Sequence, residues 1–223
     1  MGDKSISKKE VKIIGTHHFQ EEKEIRKHIE SFKPEIILLE LCNGRITLIN
    51  NPNLKQRERF SILGLIVKAI KKKAKKEGKE YGSDLKAAYK IAKEKKIPVG
   101  LIDRPIVETK ELFKAIPITE KLKLINELRR FSSSNIDLQS ILNEIDNIDT
   151  EDVLYTVKQK CQNLFYYLVT SRDEYMISKI KAYLYDHPDK RILIFVGKGH
   201  EKTIKNSIKL DEEVVKGGNK TNE

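Results

Sequence analysis

Two segments, nearly the full length of the chain apart, share one pattern: an apolar strand that runs directly into Gly-x-x-His. They lie at 11–18 and 193–200 and end at His18 and His200. A buried strand that ends this way brings an imidazole to the carboxyl edge of a sheet, where ligands bind in open α/β folds. Two such elements in one chain predict two imidazoles at a shared site. That arrangement favours metal-assisted chemistry over other readings.

The length and cysteine content restrict the class of protein. The chain has 223 residues, which fits one ordinary domain with a helical insertion. Its two cysteines, Cys42 and Cys161, form no CxxC pair, which argues against a disulfide framework or a thiolate zinc site. No apolar run is long enough to span a bilayer, and the polar N-terminus does not look like a signal peptide. We therefore expect a cytoplasmic protein.

The net charge of +11 is concentrated in one segment. Residues 54–80 contain ten Lys or Arg against three Glu, so seven of the eleven excess charges lie there. Two interpretations of 60–79 stay open. A helix there could pack on the core, or on a second copy of the chain in a homo-oligomer, and end in lysines favoured by the helix dipole. It could instead rest peripherally on an anionic membrane or an acidic partner. Nucleic acid is not expected as a partner, because no recognised binding motif accompanies the charge.

Four apolar runs, rich in Ile, Val and Leu, predict strands that are covered on both faces. They lie at 11–15, 35–40, 98–103 and 191–197. Helical segments at 20–32 and 83–95 alternate with the first three, which favours parallel pairing. We predict an α/β fold with a mixed, largely parallel central sheet, flanking helices and a helical insertion at 105–186 before the last strand. One domain would cover 1–209, followed by a disordered tail at 210–223.

Each predicted strand is followed by polar side chains that a purely structural strand does not need. In chain order they are His18, Glu40, Arg45, Asp103, Arg104 and His200. Because the carboxyl ends of parallel strands share one edge of a sheet, we expect these groups to gather there. Two imidazoles with one or two carboxylates make an open divalent-metal site, and a spare carboxylate can act as general base. The arginines could neutralise the carboxylates or stabilise an oxyanion.

Simpler interpretations exist for the same residues. Gly followed by His at a strand end could be only a turn and a helix cap. Glu40 could serve only as the ion-pair partner of Arg45. His17 and His18 are neighbours that face differently; the Gly-x-x-His register selects His18 and leaves His17 to pack beside the site.

The chain resembles the TraB/PrgY family, which is named for bacterial pheromone-shutdown proteins and is widespread in archaea. The similar pieces occur in the family's order: Ile13-Ile-Gly-Thr-His-His18, Glu40-Leu-Cys-Asn-Gly-Arg45, Gly82-Ser-Asp-Leu-Lys-Ala-Ala88, Ile102-Asp-Arg-Pro-Ile106, Arg172-Asp-Glu-Tyr-Met176 and Val196-Gly-Lys-Gly-His200. The family is grouped with the TIKI metalloproteases, erythromycin esterase and ChaN. Two Gly-x-x-His motifs, with acidic and arginine residues between them, are the shared signature.

This resemblance implies a mixed α/β fold and divalent-metal-dependent hydrolysis of a peptide or peptide-like substrate. The implied metal ligands are His18, Glu40 and His200, for an ion such as manganese, cobalt or zinc. The implied catalytic residues are Glu40, Arg45, Asp84, Asp103, Arg104 and Arg172. Asp84 stands where relatives more often have Glu, and it is an alternative to Glu40 as a ligand.

Arg172 is expected near the site, where its guanidinium could pair with Glu40 or with a substrate carboxylate. A helix that feeds a parallel strand starts at the carboxyl edge, although one unbroken helix over 152–185 would place Arg172 at its middle.

Two rival functions remain. One is a non-catalytic regulator that binds or sequesters a peptide, and the other is an adaptor that acts at a membrane surface through 60–79.

Overall fold

A computed structural model describes residues 10–16, 21–51, 82–120, 122–123 and 158–218. Its strands are β1 (Val11–Thr16), β2 (Ile36–Leu39), β3 (Val99–Leu101) and β4 (Ile192–Gly197). Its principal helices are α1 (Glu22–Phe32), α2 (Asn43–Asn50), α3 (Ser83–Glu94), α4 (Ile106–Ala115), α5 (Gln162–Phe165), α6 (Ser171–Asp186) and α7 (Lys198–Gly218). A π-helical turn at Tyr166–Thr170 makes α5 and α6 one continuous helical run.

The described strands form one sheet in the order β1-β4-β2-β3, and every neighbouring pair is parallel. The predicted α/β fold with a largely parallel sheet is therefore confirmed. β4 lies in the interior of the sheet and is buried along its whole length. β1 and β3 are edge strands with partly exposed residues. Lys12 is the exposed residue of β1, whereas no residue of β3 is exposed.

Helices α6 and α7 cover one face of the sheet. The apolar core on that face consists of Ile36, Leu38, Ile102, Met176, Ile180, Leu184, Ile192, Ile194, Val196, Ile204 and Ile208. Side chains alternate between the faces of a strand, so Ile37 and Phe195, which are also fully buried, point to the opposite face. Burial of both alternating sets explains why the sequences of β2 and β4 are apolar without interruption.

Helices α1 and α3 belong to the opposite face. The chain moves in one direction across the sheet from β1 to β2 to β3, and right-handed crossovers then place both connecting helices on the same side. The return from β3 to β4 reverses direction and places α6 on the other side. Consistent with this, Arg26 of α1 forms an ion pair with Glu94 of α3, with a distance of 3.0 Å between Nη2 and Oε2.

The contacts divide the chain into two compact units. The sheet unit consists of Met1–Cys42, Asp84–Arg104 and Asp173–Glu223, and the helical unit consists of Asn43–Ser83 and Pro105–Arg172. The helical unit thus takes in residues before 84 that the predicted insertion at 105–186 leaves out, and it gives up most of α6. The single domain over 1–209 and the disorder of 210–223 stay predictions, although α7 extends to Gly218.

The basic segment 60–79 lies outside the described residues, and both interpretations of it stay predictions. Among the helices that the structure does describe, none combines the length and the apolar character that crossing a bilayer requires.

Candidate functional site at the carboxyl edge of the sheet

Five acidic or imidazole side chains share the carboxyl edge in the sheet unit. Glu40 follows β2, Asp103 follows β3, and His200 lies in the first turn of α7, which continues directly from β4. Asp84 and Asp173 lie in the first turns of α3 and α6. Helices that return to feed a parallel strand begin at this edge. All five residues are buried, so each side chain needs polar partners within the protein.

The paths of the chain beyond β2 and β4 diverge at this edge. After β4 the chain enters α7 on one face of the sheet, whereas the connection from β2 returns through α3 on the other. Adjacent strands whose connections leave to opposite faces open a crevice at their carboxyl ends, which is where α/β proteins bind ligands. Glu40 and His200 follow these two strands.

The carboxylate of Glu40 is fixed by the backbone of the neighbouring strand. Its own N–H donates to the carbonyl of Phe195 at 3.0 Å, and its Oε2 accepts a hydrogen bond from the N–H of Gly197 at 2.5 Å. The other oxygen, Oε1, lies 3.7 Å from Nε2 of His200. The glycine of the second Gly-x-x-His motif therefore anchors the carboxylate that faces the histidine of the same motif.

His200 also contacts a second buried carboxylate. Its Nδ1 lies 2.5 Å from Oδ1 of Asp173, and the two side chains are only 11% and 7% exposed. The imidazole thus lies between Asp173 on one nitrogen and Glu40 on the other. Sequence reasoning chose Arg172 for this neighbourhood and missed Asp173. The sequence placed both residues on the helix that leads to β4, but Asp173 does not lie at the start of that helical run.

Asp84 and Asp103 each accept a hydrogen bond from the backbone of the next residue. Asp84 is fully buried and its Oδ1 accepts a hydrogen bond from the N–H of Leu85 at 2.7 Å. Asp103 accepts from the N–H of Arg104 at 2.8 Å. Carboxylates at such positions satisfy backbone donors, and Asp84 is also favoured by the dipole of α3. Both remain candidates for proton transfer, because they share the edge with Glu40.

Arg104 lies against an aromatic ring at the same edge. Its guanidinium carbon is 5.4 Å from the centroid of Tyr175, a residue of the first turns of α6. A guanidinium that stacks on a tyrosine gains a cation–π attraction and loses rotational freedom. The arrangement therefore holds a positive charge at the carboxyl edge of the sheet.

Gly15 of the first Gly-x-x-His segment lies against Glu201, the residue that follows the second segment. A Cβ atom on Gly15 would lie 2.5 Å from Oε2 of Glu201, so the carboxylate occupies the space that any other residue would fill. Burial by itself raises the pKa of Glu201, but hydrogen bonds from Lys198 and Lys205 outweigh that effect and lower the pKa to about 2. Glu201 is therefore a charged carboxylate held on both sides by lysines.

For three further predicted residues the structure gives no position beside Glu40 and His200. His18 lies outside the described residues, as does His17. Arg45, in α2, and Arg172, the second residue of α6, are half-buried and belong to the helical unit. Their proximity to the site stays a prediction. The helical run from α5 into α6 is unbroken, so Arg172 does lie within a longer helix.

Two of the three predicted metal ligands lie together among the described residues. Within the described ranges no three His, Cys, Asp or Glu side chains are grouped so that they could hold an ion. Two of the three predicted ligands, Glu40 and His200, do lie together with donor atoms 3.7 Å apart. Two ligands about 2.1 Å from one ion lie about 3.4 Å apart at a tetrahedral angle. The pair therefore fits two positions of a divalent-metal site, and His18 is the predicted third.

Comparison with known proteins places the chain in a family. The model of the TraB/PrgY/gumN family matches residues 51–214. This chain belongs to the TraB/PrgY/gumN family. The matched segment of this TraB/PrgY/gumN protein contains Asp84, Asp103, Asp173 and His200, whereas Glu40 precedes it.

One relative comes from the archaeon Methanocaldococcus jannaschii. It is an uncharacterized protein that is 27% identical to this chain over 214 residues, which cover 89% of this chain and 53% of the relative. The chain of the TraB/PrgY/gumN protein described here therefore spans about half the length of that relative.

Proposed function

We propose that this TraB/PrgY/gumN protein is a divalent-metal-dependent hydrolase that acts on a peptide or peptide-like substrate. The observation that carries the proposal is the buried pair of Glu40 and His200, whose donor atoms lie 3.7 Å apart at the carboxyl edge of the sheet. The peptide substrate is what the grouping of the TraB/PrgY family with the TIKI metalloproteases implies.

The residues that would hold the ion are His200 through Nε2, Glu40 through Oε1 and His18 of the first motif. A bound divalent ion supplies Lewis-acid activation of a water molecule and of the scissile carbonyl. Asp84 or Asp103 would accept the proton that the attacking water loses and return it to the leaving amine. Arg104, held on the ring of Tyr175, would stabilise the negative charge that develops on the carbonyl oxygen.

Metal binding is the first test. The wild-type protein, stripped with a chelator, is titrated with Mn²⁺, Co²⁺ and Zn²⁺, and the bound ion is counted after removal of the free ion. We expect one ion per chain, and at least a tenfold weaker affinity for His200→Ala and Glu40→Gln, since each loses one of about three or four ligands. His187→Ala, in the turn after α6, is the matched control and should bind as the wild type does. Equal binding by His200→Ala would refute the proposed ligand.

Turnover separates the enzyme from its rival. The metal-loaded protein is incubated with a mixture of synthetic peptides, and mass spectrometry records cleaved products and retained intact peptides. Cleavage that is lost in Glu40→Gln supports the hydrolase. A peptide that binds and stays intact with metal present would favour the sequestering regulator, and flotation with anionic vesicles would favour the membrane-surface adaptor.

A further inference from the structure

We infer that Asp173 is a positioning residue that fixes the tautomer of His200. In this assignment Nδ1 carries the hydrogen and donates it to Asp173, which leaves the lone pair of Nε2 directed toward Glu40. The consequence for metal binding rests on the proposed function, whereas the tautomer itself does not.

The two contacts of the imidazole differ in length. Nδ1 lies 2.5 Å from Oδ1 of Asp173, a hydrogen-bond distance, whereas Nε2 lies 3.7 Å from Oε1 of Glu40, which is too long for one. A carboxylate that has no hydrogen of its own only accepts hydrogen bonds, and the inference therefore assigns the donor role to the nitrogen beside Asp173. A neutral imidazole has a single N–H. The hydrogen on Nδ1 therefore leaves Nε2 as the nitrogen that can bind an ion.

The buried surroundings of His200 favour the tautomer that carries its hydrogen on Nδ1. Asp173 and His200 are both buried, so water competes little for the hydrogen bond and the low local dielectric strengthens it. Each side chain is also held by the first turn of a separate helix, α6 for Asp173 and α7 for His200. A carboxylate that orients a histidine in this way selects the ring nitrogen available to a metal, and removal of such a partner typically weakens metal binding 10–100-fold.

A structural explanation of Asp173 makes a different prediction. A carboxylate at this position of the helix could contribute to stability alone, and in that case its removal would change stability but not the tautomer. Glu174 allows the two explanations to be separated, because it occupies the same turn of α6, is exposed, and loses the same charge on substitution by glutamine.

The tautomer is measured by nitrogen NMR on metal-free protein labelled at histidine, at an alkaline pH where imidazoles are neutral. His200→Gln identifies the signals of His200. In the wild type we expect a protonated Nδ1 and a bare Nε2. Asp173→Asn should weaken or reverse that preference, because an amide can donate to Nδ1. Asp173→Glu should restore it, and Glu174→Gln should leave it unchanged.

The outcomes distinguish the inference about the tautomer of His200 from the proposed metal-dependent function. A wild-type His200 with its hydrogen on Nε2 overturns the inference, and this result is available even if Asp173→Asn does not fold. In a titration with Zn²⁺ alone, we expect Asp173→Asn to bind 10–100-fold more weakly than Glu174→Gln. Equal affinity in these two variants would also overturn the inference. If the wild type shows the expected tautomer and binds no ion, the proposed function fails and the assignment of the tautomer stands.

Discussion

Gly15, the glycine of the first Gly-x-x-His motif, has a packing role that its neighbours in sequence do not reveal. A Cβ there would approach three atoms of Glu201 within 2.5–2.9 Å, including the Cβ of that residue. Glu201 is restrained by Lys198 and Lys205, with ion-pair distances of 2.5 and 2.6 Å. The bare glycine surface thus lets the first turn of α7 lie close to β1. Because His200 belongs to that turn, Gly15 helps to set its position.

Gly15→Ala should therefore disturb both stability and the site. We expect a loss of about 1–3 kcal/mol in the free energy of unfolding, the range typical of overpacking, together with weaker metal binding. Urea unfolding measures the first effect. The control is the same substitution in a Glu201→Ala background, where two of the three close contacts are gone and the cost should be smaller. Equal costs in the two backgrounds would contradict this explanation.

At the level of single residues, the sequence predicted which side chains follow the strands. It did not predict the direction in which the side chains of a helix point. Glu40 and His200 follow strands, and parallel strands share an edge, so their proximity was predictable. Asp173 lies next to the predicted Arg172, and neighbouring residues on a helix point about 100° apart. The sequence pattern placed both residues on one helix but did not show which of the two side chains faces His200. The contact between Gly15 and Glu201 depends on packing between distant segments, which no local pattern records.

Among the elements, α5 obtains its N-terminal cap from a distant part of the chain. Cys161, the residue before α5, makes no side-chain cap. Instead the carboxylate of Glu120 accepts hydrogen bonds from the N–H of Leu164 at 3.1 Å and from the side chain of Asn163 at 2.7 Å. Burial raises the pKa of Glu120, but these hydrogen bonds outweigh burial, and the net pKa is lowered. The carboxylate thus stabilises the folded helical unit in its charged form.

Glu120→Gln should reduce the stability of the folded protein by about 1 kcal/mol at neutral pH, since it weakens a charged cap at a helix N-terminus. The folded pKa is below the unfolded value of about 4.3. The contribution is therefore fully present above that value and is lost as the pH falls through the lower folded pKa. Thermal unfolding of both proteins from pH 7 to pH 3 should show curves that converge in acid. Glu111→Gln, in an exposed pair with Lys114, should change stability little at any pH.

The bounds of the strands and helices were more predictable than the order of the strands in the sheet. The strand predicted at 191–197 is observed as Ile192–Gly197, and the helix predicted at 83–95 as Ser83–Glu94. Uninterrupted apolar runs and helix caps are local signals, so they place an element without knowledge of the fold. The order β1-β4-β2-β3 is a property of pairing between distant segments. The sequence therefore indicated four buried strands and could not show that two of them lie at edges.

For the whole molecule, a site that joins β2 to β4 couples ion binding to global stability. Glu40 and His200 belong to segments far apart in sequence, and an ion held by both binds the folded state alone. At an ion concentration about 100 times Kd, such binding adds about 2.7 kcal/mol to the stability. We expect a divalent ion to raise the unfolding temperature by about 5–10 °C. Calorimetry should show that a chelator reverses the shift and that His200→Gln abolishes it. An equal shift in His200→Gln would place the ion elsewhere.

The position of β4 in the sheet has a consequence for synthesis of the chain. β4 comes last among the described strands, yet it lies between β1 and β2 and pairs with both. As the chain emerges from the ribosome, β1 gains its partner in the described sheet only after the segment up to Gly197 has been made. Pairings between such distant segments form slowly, and unpaired strand edges are prone to aggregation in the meantime. The same strand delivers His200, so the residue that completes the site and the strand that completes the sheet arrive together, and chains that stop short of β4 lack both.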